Sequence, residues 1–268
     1  MYCRTALVTM VQMTHSRSHV ILQPAYVLHS TPYRDTSVLL EMFTPDHGRI
    51  GLVARGVRSA KSRLRGVLQP FCPLLISWHS KGDLGTLITA EANVEEGAAA
   101  RLGGRALMSG FYLNELLLRL LHRHDPHPTL FRSYDIALRK LSAVADDVML
   151  QQALRIFEKE LLQDIGYGLV LDHDVMTGEP ITAEGMYRYH LEKGPERMEC
   201  ITAAHIANTL GIVLHGHTLL GLAHNELSRC DVLQEAKKLL RKLLAVHLGR
   251  QPLRSRQLYN EMLAIMST

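Results

Sequence analysis

The sequence predicts an α+β protein: a small five-stranded barrel, closed or partly closed, followed by a mostly helical domain with a small irregular or hairpin insert. Three observations lead there. Near residue 98 the apolar residues change from short β-rich runs to helical stripes. The runs before that point are bounded by turn residues at short spacing. A length of 268 residues, with 47% apolar and 21% charged, suits a globular chain large enough for more than one domain.

Residues 1–20 read as an N-terminal tail. Arg4 precedes the apolar stretch 6–13, but Thr9 and Gln12 interrupt it and no small-residue cleavage site follows, so it fails as a signal peptide. Residues 21–98 form the barrel domain, with strands expected at 25–29, 37–44, 49–54, 71–78 and 84–90. Turns at Thr31-Pro32, Pro45-Asp46-His47-Gly48 and Lys81-Gly82-Asp83 separate several of them. Many short strands at even spacing suit a small barrel.

Residues 99–268 form the helical domain. The stretch 106–121 is apolar nearly all round, broken only by Asn114, Glu115 and Arg119, which predicts a buried central helix. Helices follow at 130–144 and 149–165, the second stopped by Gly166-Tyr167-Gly168. Residues 172–198, with Gly178, Pro180, Gly185, Gly194 and Pro195 around Tyr187 and Tyr189, form the insert. The 26 residues 200–225 contain no Asp, Glu, Lys or Arg, yet His205, His215, His217 and His224 make a membrane span costly. They read as two short core segments. Helices at 231–248 and 255–266 close the chain.

Net charge is only +4, with a pI near 8.9, so its distribution carries more information than its sum. Between His47 and Gly82 lie seven basic residues, Arg49, Arg55, Arg58, Lys61, Arg63, Arg65 and Lys81, and no Asp or Glu. Several sit on the Ser- and Gly-containing connection 56–66 between two strands. A positive loop on a small barrel is suited to tracking a nucleic-acid backbone, although a solvated loop without a partner has the same composition. The barrel's aromatics, Tyr26, Tyr33, Phe43, Phe71 and Trp78, are expected mainly in the core rather than as stacking platforms. A second basic stretch, residues 236–260 with Lys237, Lys238, Arg241, Lys242, Arg250, Arg254 and Arg256, places Lys238, Arg241 and Lys242 on one helix face, where they extend the binding surface or simply favour the helix C-terminus.

Catalytic patterns are missing. There is no P-loop, no G-x-G-x-x-G, no G-x-S-x-G and no H-E-x-x-H. Cys3, Cys72, Cys200 and Cys230 form no C-x-x-C pair, which excludes a disulfide scaffold and a recognisable thiolate zinc site and points to a reducing, cytoplasmic compartment. His122, His124 and His127, with Asp125, read as a solvated connection. His215 and His217, flanking Gly216, read as turn or half-buried histidines. The acidic pairs Glu95-Glu96 and Asp146-Asp147 fit element ends. No metal, cofactor or enzymatic activity is expected.

The run AYVLHSTPYRDTSVLLEMFTPDHGRIGLVARGVRSAKSRLRGVLQPFCPLLISW resembles the start of the RecO family of bacterial DNA repair proteins. SGFYLNELLLRLL, ALRIFEKELLQDIGYGL, TGEPI, YRYHLEKG and HLGRQPLRSRQLYNEM continue it in the family's order, so the likeness spans about residues 24–266. The resemblance implies an N-terminal OB-fold, a helical domain, and an insert that in some members is a four-cysteine zinc module. It also implies a recombination mediator: binding of single- and double-stranded DNA, annealing of complementary strands, and work with RecR to load RecA onto DNA coated with single-strand-binding protein. The insert here has no cysteine, and His173 and His190 cannot replace four thiolates, so zinc is not carried over. In the family an arginine in A-L-R-x-F-E is associated with the acidic C-terminal tail of single-strand-binding protein. That pattern falls on residues 153–158 and makes Arg155 the matching position, with an intrahelical pair to Glu158 or Gln151 as the alternative. A reading from another class remains open: an adaptor whose basic loop meets an acidic protein rather than DNA.

Overall fold

The computed structural model describes residues 18–80, 82–93, 102–143, 146–198, 211–249 and 251–266. Strands β1 (Ser18–Tyr33), β2 (Ser37–Thr44), β3 (Gly48–Ala54), β4 (Leu74–Ser80) and β5 (Leu84–Ala92) form a closed barrel in the order β1-β2-β3-β5-β4. All neighbours pair antiparallel except β3 and β5, which run parallel. A short helix, α1 (Leu64–Val67), connects β3 to β4. This is OB-fold connectivity.

Closure depends on the length of β1. Its first half pairs with β4 and its second half with β2. Between Val20 and Gln23 the register shifts, Leu22 takes a positive φ of 50°, and its N–H donates to Ser77 Oγ at 3.1 Å. Such a bulge bends a strand around a barrel corner. β1 begins at Ser18, so a tail boundary at residue 20 cuts the strand. The alternation expected of a strand is broken at the bulge, so the sequence reading recovered only its middle.

Two faces of the barrel are covered. Val27, Leu40, Met42, Ile50, Leu52, Leu74, Ile76 and Trp78 fill its interior. Tyr26, Leu28, Phe43 and Phe71 point outward into the core of the helical region. That region contains α2 (Gly104–Leu120), α3 (Pro128–Ser142), α4 (Asp147–Asp164), α5 (Gly216–His224), α6 (Cys230–Leu248) and α7 (Arg254–Met266). At the seam the Tyr26 ring lies 5.5 Å from Phe131 and 5.1 Å from Tyr134. The Tyr26 hydroxyl donates to Asp135 Oδ1 at 2.6 Å. Burial, reinforced by Asp135, pushes that hydroxyl far above the usual phenol range.

Asn114, which breaks the apolar pattern of α2, is buried at the centre of the seam. Its Nδ2 donates to the Leu28 carbonyl at 2.9 Å and its Oδ1 accepts from Tyr134. A buried amide is tolerated because its nitrogen and its oxygen are both engaged. The connection between α2 and α3 departs from expectation. His127 is buried and pairs with Asp164, because Leu130 and Phe131 pull the start of α3 into the core. The same connection docks on the barrel. A Cβ on Gly48, whose φ is +59°, would meet the Asp125 carbonyl oxygen at 1.8 Å.

The insert is a hairpin of β6 (Met186–His190) and β7 (Gly194–Arg197), extended by β8 (Gly211–His215) in the order β7-β6-β8. Its loop is held by Asp174, 3% exposed, whose carboxylate accepts from the backbone N–H groups of Met176, Thr177 and Arg197 at 2.7, 3.1 and 2.6 Å. Burial raises its pKa, but those bonds outweigh it and hold the carboxyl below its ordinary range. His173 and His190 each pair with a nearby carboxylate, Asp172 and Glu196. No described helix is long and apolar enough to cross a membrane.

Candidate nucleic-acid interface and partner cleft

The connection from β3 to β4 is anchored on one side and open on the other. Val57 and Leu68 are buried in the barrel cluster, with Leu64 and Val67 packed against it. Beside and between these anchors Arg55, Arg58, Lys61, Arg63 and Arg65 are all exposed. Among the described residues no carboxylate lies within ion-pair distance of these five. The alternation of apolar anchors and cations is therefore what presents the charge on one side. Arg58 bonds the neighbouring β1–β2 turn, donating from its backbone to Thr36 O at 2.8 Å and from its guanidinium to Arg34 O at 3.2 Å. That turn adds an exposed cation, Arg34, whose guanidinium sits 5.2 Å from the Tyr33 ring centre. Sequence reasoning missed Arg34 because it precedes Asp35, outside the acid-free window.

Arg49 stands apart from this exposed row. Its guanidinium donates to the Leu118 carbonyl of α2 at 2.6 Å and lies 4.0 Å from Glu41. Burial lowers its pKa, with Glu41 opposing. Strand alternation turns Arg49 toward the helical region, where the seam engages its charge, unlike the exposed cations of the loop. Lys81 lies outside the described residues. Tyr26, Phe43, Phe71 and Trp78 are buried, and Tyr33 is half-buried, so backbone charge rather than base stacking dominates the described barrel surface.

The second site lies between α2, α4, α6 and α7, in a cleft of about 150 Å³. Arg155, 5% exposed, donates from a terminal nitrogen to Glu158 Oε1 at 2.6 Å. The Tyr112 hydroxyl donates to the same oxygen at 2.6 Å. The intrahelical pair anticipated as the alternative for Arg155 is thus present. Its capacity is not exhausted, because Arg155 Nε and Glu158 Oε2 are both buried without a partner. Burial raises the Glu158 pKa, against the lowering effect of Arg155.

Lys237, Arg241 and Arg256 also line the cleft, facing one carboxylate together with Arg155. Burial, then repulsion from Arg155, lowers the Lys237 pKa. An incoming anion would relieve that repulsion. Met108, Leu150 and Leu154 supply apolar wall. The rim is fixed from α2: Glu115 accepts from the Arg254 and Ser255 backbone N–H groups at 2.9 Å each, capping α7 and holding Arg256 and Tyr259 at the opening.

The basic face of α6 divides between roles. Lys238, Arg241 and Lys242 are exposed, but Arg241 lines the cleft beside Arg155. Helical spacing groups the three, whereas packing of α6 against α4 turns only part of its face into the cleft. Lys237 and Arg256 belong to the second basic stretch but were not linked to Arg155 from the sequence, and Tyr112 was not singled out. Tyr112 belongs to an apolar stripe, and Arg256 lies far from Arg155 in the chain.

Family models of the N-terminal and C-terminal parts of recombination protein O match residues 19–93 and 101–257. The DNA repair protein RecO of Nitrosococcus oceani is 50% identical over 244 residues, covering 91% of this chain and 94% of the relative. That of Alkalilimnicola ehrlichii is 47% identical over 247 residues, covering 92% and 94%. That of Nitrosospira multiformis is 45% identical over 239 residues, covering 89% and 94%. With an OB-type barrel joined to a helical region, the chain belongs to the RecO family of DNA repair and recombination proteins.

Proposed function

We propose that the protein is a non-enzymatic recombination mediator that binds single- and double-stranded DNA, anneals complementary strands and, with RecR, helps load RecA onto DNA coated with single-strand-binding protein. The observation that carries this reading is the exposed row Arg55, Arg58, Lys61, Arg63 and Arg65 on a loop anchored by buried apolar residues. Cations presented in this way neutralise phosphates without reading bases, which suits binding of either strand form. Lys238 and Lys242 extend that surface in the same reading, which also counts Lys81, between β4 and β5 in the chain, as a DNA-binding residue. Two strands held on positive surfaces repel each other less, so annealing accelerates without bond chemistry or nucleotide hydrolysis.

The Arg155 cleft supplies recruitment. A free C-terminal carboxylate reaches the cations, while the apolar wall accepts an adjoining aromatic side chain. This fits the acidic tail of single-strand-binding protein and would bring the protein to coated strands.

The test is annealing of complementary oligonucleotides pre-coated with cognate single-strand-binding protein, without ATP. Wild-type protein should accelerate it, and charge reversal at Arg58, Lys61 and Arg63 should remove the acceleration and flatten the salt dependence of DNA binding. Unchanged affinity and slope in that variant would favour the adaptor reading, in which the loop meets an acidic protein.

A further inference from the structure

We propose that His215, His217 and Glu235 form a binding site for a divalent transition-metal ion of the zinc class, separate from the DNA loop, the Arg155 cleft and the insert loop. His215 ends β8, His217 lies in the first turn of α5, and Glu235 comes from α6. A ligand atom from each falls within 4.8 Å of the others. Two imidazoles and a carboxylate are a donor set that zinc favours.

The local geometry prepares these groups. The two imidazole centres lie 5.0 Å apart with planes 18° from parallel. Stacked rings do not aim their nitrogens at one point, so one imidazole must rotate before both lone pairs face an ion held at about 2.0 Å. Glu235 Oε2 accepts from the His215 backbone N–H at 3.0 Å and from Thr218 Oγ1 at 2.7 Å. Its Oε1 therefore faces the His215 ring, with Nδ1 at 2.6 Å. Hydrogen bonds of this kind orient a ligating carboxylate. The ordinary His–Glu pair accounts for His215 and leaves His217 unexplained. Nε2 of His217 is buried with no hydrogen-bond partner, and Asp231, at 3.6 Å, is already held by Arg229 at 2.6 Å.

Closing the ligand atoms around an ion requires only side-chain rotation, since His215 is exposed and His217 half-buried. Three protein ligands leave a position for water, as in open zinc sites. The ion would clip the β8–α5 junction to α6, and through it join the three-stranded sheet to the helix that carries Lys237 and Arg241.

The experiment uses untagged full-length protein dialysed against Zn²⁺ or Co²⁺, with metal analysis, visible spectroscopy and thermal unfolding. One equivalent of metal should bind, and unfolding should shift upward by about 5 °C at a hundred-fold excess over Kd. His217→Ala and Glu235→Gln should each weaken binding at least about ten-fold, whereas His173→Ala and His190→Ala should leave it unchanged. Substoichiometric binding by wild type, or equal affinity in the His217→Ala and Glu235→Gln proteins, overturns the proposal. A sulfur-to-cobalt charge-transfer band in wild type does so as well, because it places the ion on cysteine whatever the variants do.

Discussion

Replacing Arg155 by Met should separate its role in holding the fold from its role in binding. The side chain is buried against Glu158, which keeps only its bond from Tyr112 once the guanidinium is gone. Breaking a buried pair in this way costs about 3–5 kcal/mol. At this chain length that corresponds to roughly 6–20 °C in Tm. The deficit should depend on pH. Glu158 already has a folded-state pKa above its unfolded value through burial, and Arg155 acts to lower it. Removing Arg155 raises it further, so the variant is least impaired at low pH and loses stability as pH rises through the carboxylate range. Adding Glu158→Leu removes the stranded carboxylate, and the double variant should return close to wild-type stability. Binding should behave differently. Loss of a charge-assisted bond of about 1.5–3 kcal/mol weakens an acidic peptide with a free C-terminal carboxylate by roughly 10- to 150-fold. That loss should persist in the double variant. Fluorescence anisotropy with free-acid and amidated peptides, beside urea unfolding, reads both quantities. A double variant that is stable and binds the free acid with wild-type affinity would refute the assignment of Arg155 to the anion.

Three further perturbations address the seam, the insert and Arg49. Gly48→Ala forces a Cβ into the Asp125 carbonyl at a positive φ and should destabilise by about 3 kcal/mol or more; an unchanged denaturation midpoint would mean that the α2–α3 connection does not dock there. Asp174→Ala releases three backbone donors and should cost about 2–4 kcal/mol, read by hydrogen exchange of the hairpin amides. Because the Asp174 pKa is depressed on folding, its contribution is present above the unfolded value and fades as pH falls through the folded one, so wild type and variant should converge in acid. Arg49→Ala should lower the urea midpoint yet leave the salt slope of DNA binding unaltered; a shallower slope at full stability would return Arg49 to the DNA surface.

Much of the architecture was legible because it rests on local periodicity. The second strand was predicted at 37–44 and found there, and the starts of the predicted helices fall within two residues of those observed. The Asp146-Asp147 pair was legible as an element end, where the Asp146 carboxylate caps α4 by accepting from Met149 N at 2.8 Å. Misreadings arose where a residue's partner is remote. Arg49 looked like its basic neighbours, His127 looked solvated, and β1 looked short because its first half gains its partner 55 residues later, at Ser77.

The sequence by itself determined the barrel-then-helices order, the family resemblance, the acid-free window and Arg155 as a candidate. Each is written in nearest-neighbour spacing or in an ordered set of motifs. Only the tertiary structure decided which cations are available. It assigned Arg49 to the seam, brought Arg34 beside Arg58, gathered Lys237, Arg241 and Arg256 around Arg155, and set Glu235 against His215 and His217. The reason is physical. A charge's role depends on burial and on partners a few ångströms away, and chain closure fixes those across separations that no local pattern encodes.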